Sequence, residues 1–489
     1  MKRIVFILCT LASAAFVNGC MVGPHYQRPA TNAPAVYRGA TAPEAGQVVS
    51  VQEMLTEQAK VTSLGDQKWA EVFREPALQQ LIREALANNY DVKIAAQRVL
   101  EQQDQVGITR AQQFPTVNGG ASYYALGLPS SLVKRLNSGG NSKSYAASTY
   151  FAGGFTLSAA WNLDFWGLYR RQTEAARAQL LATEWGRRMT ISTVVENVAT
   201  AYLQLRTLDA ELEITRQTLE ARKQSLQLTQ TLEQGGSATL ADVRQAEELL
   251  YTAAAAIPDF ERQIEQEENS ISILLGRNPG PIIRQASEMN WPQPERVPAG
   301  IPSQLLDRRP DIQQAEAELV AANADVGVAK AQLFPQLALS GTGGTSSSQL
   351  KGLVDGRNLY WYATGNLTQT IFDAGRLRNN LRLSEAQKQE EVLVYQRTIK
   401  QAFQSVSDAL IGLQKFREFR EKEAELTASA EDATRLARLR YNGGSTSYLE
   451  VLTNDTNYYS AQLTLAVAQE NEALSFVQLY SALGGGWQE

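Results

Sequence analysis

Histidine is almost missing: 489 residues carry one, His25. A single imidazole cannot build a multi-histidine metal site. Cysteine is nearly as scarce, with Cys9 and Cys20. Cys9 lies in a candidate signal, so the processed chain keeps one thiol and forms no internal disulfide. The remaining methionines, Met21, Met54, Met189 and Met289, are scattered, which argues against a thioether conduit for copper or silver. Basic charge is not in excess either: 46 Lys+Arg face 51 Asp+Glu, a net charge of −5. Losing Lys2 and Arg3 with the signal takes this to −5 − 2 = −7, the wrong sign for a nucleic-acid footprint. Gly139–Ser144 lacks the spacing of a phosphate-binding loop. Neither an enzyme nor a resident cofactor or metal is expected. No apolar run in the mature chain reaches the length of a membrane-spanning helix, about 20 residues. A chain that crosses a bilayer without such a helix must do so with strands.

What is present begins with an address. Lys2-Arg3 and the apolar run Ile4–Val17 form a secretory n-region and h-region. Val17-Asn18-Gly19-Cys20 resembles a lipobox, with a lipid attached to Cys20 as the new N-terminus; secretion with cleavage nearby is the plainer alternative. One lipidated terminus anchors a protein to a membrane without spanning it.

The body of the chain is written twice. Gly235, Gly236 and Ser237 recur 208 positions later as Gly443, Gly444 and Ser445, and Leu275-Gly276 as Leu483-Gly484. Ala111–Pro115 recurs as Ala331–Pro335. A period this long marks a duplicated half, joined by a Pro-rich stretch from Pro279 to Pro302. Proline is otherwise rare, with none after Pro335. The Pro-free runs 166–234 and 374–442 can each hold a helix of about 100 Å. Ile191, Val198, Leu205, Leu212, Leu219 and Leu226 recur every seventh residue, as do Val392, Ile399, Val406 and Leu413. That repeat predicts coiled-coil packing, against the alternative of a large bundle with a buried core. Pro258 is expected to break the helix that returns from the first Gly-Gly turn.

Between the helices the period changes to two. Phe155, Leu157, Ala159, Trp161, Leu163 and Phe165 alternate with small or polar residues, and Leu359, Trp361, Ala363 and Leu367 share a face. Strands are predicted near 115–127, 151–165, 335–345 and 358–372. Tyr123, Tyr124, Trp161, Phe165, Trp166, Tyr360, Trp361 and Tyr362 cluster toward strand ends, as interfacial girdles do. Two hairpins have open edges, which hydrocarbon does not tolerate, so at least two copies must complete a barrel. A small soluble sheet capping a bundle is the alternative.

The ordered set of features resembles one family. A lipoprotein signal, Phe-Pro before each strand pair, Asp164–Gly167 and Phe372–Arg376 after them, paired Gly-Gly-Ser turns and a final Ala482–Trp487 resemble the TolC-like outer membrane factors, in their OprM/NodT lipoprotein branch. The resemblance implies a mainly α chain with a transmembrane β-barrel, built from duplicated helix–β-hairpin–helix halves. It implies a homotrimer with four strands per chain in a twelve-stranded barrel, above a long α-helical barrel in the periplasm. Domains follow as signal 1–19, lipidated leader and equatorial segment 20–75, first repeat 76–278, equatorial linker 279–303, second repeat 304–483 and tail 484–489. The implied function is a passive export conduit in the outer membrane, gated at its periplasmic tip. A periplasmic adaptor and an inner-membrane pump of the RND type would be the partners, with tip turns 235–239 and 443–447 at the adaptor contact. Asp242, Tyr441 and Leu449 match family gate positions. Where the family carries Asp and Arg, Thr453 and Thr456 stand here, so Glu450 and Asp455 join Asp242 as candidate pore acids. The same carboxylates suit solvated helix faces or first turns. A non-transporting coiled-coil spacer or adhesin is the rival from another class.

Overall fold

The computed structural model describes residues 21–31, 33–34, 36–39, 63–129, 148–284, 300 and 302–488. The signal, Cys20, most of the Pro-rich linker and the centre of the first hairpin loop lie outside the described residues. The chain divides into two compact units. One comprises Met1–Pro29, Glu101–Leu181 and Ala317–Leu393, and the other Ala30–Leu100, Ala182–Glu316 and Val394–Glu489.

The first unit holds one antiparallel sheet in the order β1 (Thr116–Leu128), β2 (Ser148–Leu163), β3 (Gln336–Ser347), β4 (Leu359–Thr368). The two expected hairpins are therefore joined through β2 and β3. The strand predicted to reach residue 372 ends at Thr368. Beyond it Ala374 and Gly375 take positive φ, 54° and 85°, which turns the chain into the next helix. Register carries the alternation across all four strands: Val117 pairs with Ala159, Leu157 with Gly343, and Gly343 with Trp361. Directly paired residues share a face, so Val117, Leu157, Trp161, Leu339, Trp361 and Leu367 build one apolar side. These large side chains are exposed, Trp361 by 79%. The other side is small and polar, with Ser340 and Thr364 hydroxyls 2.6 Å apart. β1 and β4 each pair on one edge only.

Helices make up the rest. After α1 (Trp69–Val72), α2 (Pro76–Asn88) and α3 (Tyr90–Ala111) lead into the sheet. α4 (Leu168–Gln234) leaves it, followed by α5 (Leu240–Leu274). The second half repeats the plan with α6 (Pro302–Arg308), α7 (Pro310–Ala331), α8 (Arg376–Asn442) and α9 (Tyr448–Ala482). Both α4 and α8 are uninterrupted over 67 residues, as the scarcity of proline allows. The expected break at Pro258 does not occur: α5 runs through it. Proline removes one hydrogen bond and crowds Ala254, while propagation on both sides of a 35-residue helix outweighs that local loss.

Seam residues form the core of the second unit, where Val198, Leu205 and Val406 have no solvent exposure. The tail docks there too. Ser192 Oγ donates to the Gly485 carbonyl at 2.5 Å, and the Arg188 guanidinium covers the edge-on pair of Trp185 and Trp487, 4.1 Å and 5.0 Å from the two ring centroids.

Candidate functional site: the helical tip

Each half turns at its tip by the same device. Ser237 N–H donates to the Leu232 carbonyl and Gly236 N–H to Glu233, while Ser445 and Gly444 do the same to Arg440 and Tyr441. These are Schellman closures, which place the residue after the C-cap in the left-handed region. Gly236 and Gly444 occupy that place at φ 76° and 69°. Nothing lies within 4 Å of a Cβ added at either, so glycine is required by the backbone alone.

The tip acids do three different jobs. Asp242 is the third residue of α5 and closes a capping box with Thr239: the Thr239 hydroxyl accepts from Asp242 N–H, and the carboxylate accepts from Thr239 N–H at 2.8 Å. That satisfies two orphan donors at the helix start. Glu450, in the first turn of α9, accepts from the Arg440 guanidinium at 2.6 Å and from the Thr446 hydroxyl. Asp455 corrects the expectation of a pore-facing acid. It is 7% exposed and lies between two arginines, with Arg222 Nε at 2.9 Å and Arg438 Nη2 at 2.7 Å. Periodicity puts it there: Tyr448, Val451 and Asp455 follow at i, i+3 and i+7 on the buried stripe of α9.

The opposite stripe is uncharged. Leu449 is 58% exposed, and Thr453 and Thr456, also exposed, turn their hydroxyls back onto the Leu449 and Leu452 carbonyls. Tyr441 packs against Tyr448, with ring centroids 5.4 Å apart, beside a small core of Ala246, Ala437, Tyr448 and Val451. Burial raises the pKa of both phenols above the ordinary tyrosine range.

Arg222 is the residue of the tip network that the sequence pattern did not single out. It donates to Asp455 on α9 and to the Leu249 carbonyl on α5, and its guanidinium lies 5.1 Å from the Tyr459 ring centroid. Arg438 extends the network to α8, so Asp455 and its two arginines tie four helices together. The signal was present in the sequence: Thr215, Arg222 and Thr229 stand seven apart, and all three are buried. A polar seam thus takes over from the apolar one toward the tip, where Leu219 and Leu226 are only half-buried. Thr215 meets the Tyr459 hydroxyl at 3.0 Å, and Ser225 meets that of Tyr448 at 3.4 Å.

Further along the same helices, Glu211 and Glu267 each lie within the field of Glu470. Burial and the Glu470 charge push Glu211 up to about 7, and the same two causes raise Glu267. Burial also raises Glu470, against a hydrogen bond from Thr207. Among the described residues no group of acids, histidines or cysteines is arranged to hold a metal.

Comparison with known proteins agrees with this architecture. The outer membrane efflux protein family matches residues 81–277 and 301–485, and the chain belongs to it. It is 35% identical to the probable efflux pump outer membrane protein TtgC of Pseudomonas putida, over 99% of this chain and 96% of the relative. It is 31% identical to the cation efflux system protein CusC of Escherichia coli, over 97% and 98%. Among solved structures, CusC superposes with a TM-score of 0.82 at 30% identity, covering 96% of this chain and all of that one. The open-state MtrE channel of Neisseria gonorrhoeae gives 0.81 at 26%, covering 96% and 99%. The chain is an outer-membrane efflux channel component.

Proposed function

We propose that three copies close a twelve-stranded barrel in the outer membrane and that their long helices form the periplasmic duct beneath it. One observation carries this reading: the sheet has a continuous apolar face and an unpaired edge on both β1 and β4. Open edges cost several kcal/mol per unsatisfied group in hydrocarbon, and sister copies supply the missing partners. Four strands are too few for a barrel, which starts at about eight.

The duct is passive. It carries no catalytic step of its own, and an inner-membrane pump of the RND type drives export through it. A periplasmic adaptor engages the tip turns at Gly235, Gly236, Ser237, Gly443, Gly444 and Ser445. Tyr441, Leu449 and the residues around Arg222 set the aperture, and acylation of Cys20 tethers each copy. The names of TtgC and CusC, an efflux pump component and a cation efflux protein, support a conduit role for the homologous chain.

Reconstitution tests it. Purified acylated protein is expected to run as a detergent-resistant trimer and to open ion-conducting pores in planar bilayers. A single chain that never enters membranes, or a membrane-bound trimer without conductance, overturns the reading.

A further inference from the structure

In the first unit the chain just after Cys20 is pinned. Val22 N–H donates to the Trp166 carbonyl at 3.1 Å, Arg171 Nε to the Val22 carbonyl at 3.1 Å, and Asn323 Nδ2 to the Pro24 carbonyl at 3.1 Å. Arg171 is fully buried and is held by Glu174 at 2.7 Å. The approach is close enough that a Cβ on Gly167 would lie 2.7 Å from Met21 Cγ, and one on Gly23 2.5 Å from Gly327 Cα. Residues 21–24 are thereby held in place against α4 and α7.

A cavity of about 550 Å³ opens at that spot, walled by α3, α4 and α7, with Met21 at its edge. Its apolar lining is Ala178, Leu181, Ala317 and Val320, and its charge comes from Arg110, Arg170 and Arg177. Arg170 is engaged by Asp164, and the one carboxylate in the wall, Glu174, by Arg171. Among the described residues Arg110 and Arg177 have no ion-pair partner, and both are exposed.

The cavity also adjoins the lipid side of the sheet. Gln113, in its wall, accepts at its backbone carbonyl from Trp161 Nε1 at 3.0 Å. Trp161 stands on the apolar face near the end of β2, where an amphipathic ring belongs at a membrane–water boundary. α4 follows β2, the second strand of the sheet, while α3 leads into β1 and α7 into β3. The cavity is thus lined by residues of one chain.

We infer that this cavity binds the headgroup of an anionic phospholipid of the inner leaflet, its phosphate between Arg110 and Arg177 and its acyl chains along the Trp161 face. Two unpaired guanidiniums suit a phosphate, and a basic pocket at the membrane boundary is where an anionic headgroup gains most.

The test uses the full acylated protein, delipidated in a non-ionic detergent and incubated with phosphatidylglycerol or phosphatidylcholine of matched chains. Retained lipid is read by native mass spectrometry. Preference for phosphatidylglycerol of roughly thirtyfold is expected from two arginine contacts. R110Q/R177Q should abolish the preference, and R110K/R177K should retain most of it. Conductance and oligomer mass should be unchanged in both, which separates failure of this site from failure of the conduit reading. Equal retention of the two lipids, or full preference in R110Q/R177Q, overturns the inference. Complete competition by inorganic phosphate alone also overturns it, in favour of a small-anion site.

Discussion

Arg222 and Asp455 are 233 residues apart in sequence and 2.9 Å apart in space, and both side chains are almost fully withdrawn from solvent. A buried ion pair is weak evidence for net stability, because desolvation offsets most of the Coulomb gain. Its value here is geometric. Arg222 can satisfy its donors only when α4, α5 and α9 are in register, and Arg438 adds α8.

Asp455→Ala should therefore be severe. It strands one buried guanidinium and one half-exposed one, at a cost of about 3–5 kcal/mol, and it frees the four helices at the tip. A fall in thermal stability together with higher single-channel conductance is expected. Arg438→Gln should be milder, since that side chain is 41% exposed and Arg222 still compensates the acid. Equal effects of the two would sink the assignment of Arg222 as the principal partner.

Asp242 separates a capping role from a pore role. Thr239→Ala removes the cap while leaving the carboxylate, at about 1 kcal/mol. If Asp242 acts mainly through the box, Asp242→Asn and Thr239→Ala lower the melting temperature alike and leave ion selectivity untouched. A change of cation-over-anion permeability in Asp242→Asn alone would show that the carboxylate faces the ion path.

Stability should also depend on pH through Glu211. Its folded pKa is raised from 4.5 to about 7, so the folded state holds a proton that the unfolded state has released. That stabilisation is complete below about pH 4.5 and is lost as pH rises through about 7. The melting temperature should fall between pH 5 and pH 8. Glu211→Gln should flatten that fall, raising the melting temperature by a few degrees at pH 8 and little at pH 5. The half-exposed site is partly screened by solvent, which keeps the effect below the full shift. A melting curve for Glu211→Gln that keeps the parent slope would reject this account.

Adjacent positions on β2 should behave in opposite ways. Leu157 belongs to the apolar face and Ser158 to the polar one. Leu157→Arg places a charge in lipid at about 2–4 kcal/mol near the midplane and should deplete the protein from outer-membrane fractions. Ser158→Arg should insert normally and shift conductance or selectivity. Loss of insertion in both variants would contradict the assignment of faces.

Much of this was legible without coordinates, for definite reasons. The scarcity of proline permits helices of 67 residues, and Gly236 and Gly444 mark where they must stop, because only glycine enters the left-handed region freely. Alternation along Phe155–Leu163 determines which face is apolar, since a strand has a fixed period of two. The duplicated landmarks give the second half its plan from the first. Tertiary structure alone decided what pairing and packing control: that β2 joins β3, that α5 continues through Pro258, and that Asp455 is neutralised while Leu449 stays exposed. A carboxylate reads the same in sequence whether it caps a helix, meets a distant arginine or faces water. Only the three-dimensional neighbours, Thr239 for Asp242 and Arg222 with Arg438 for Asp455, settle which of these it does.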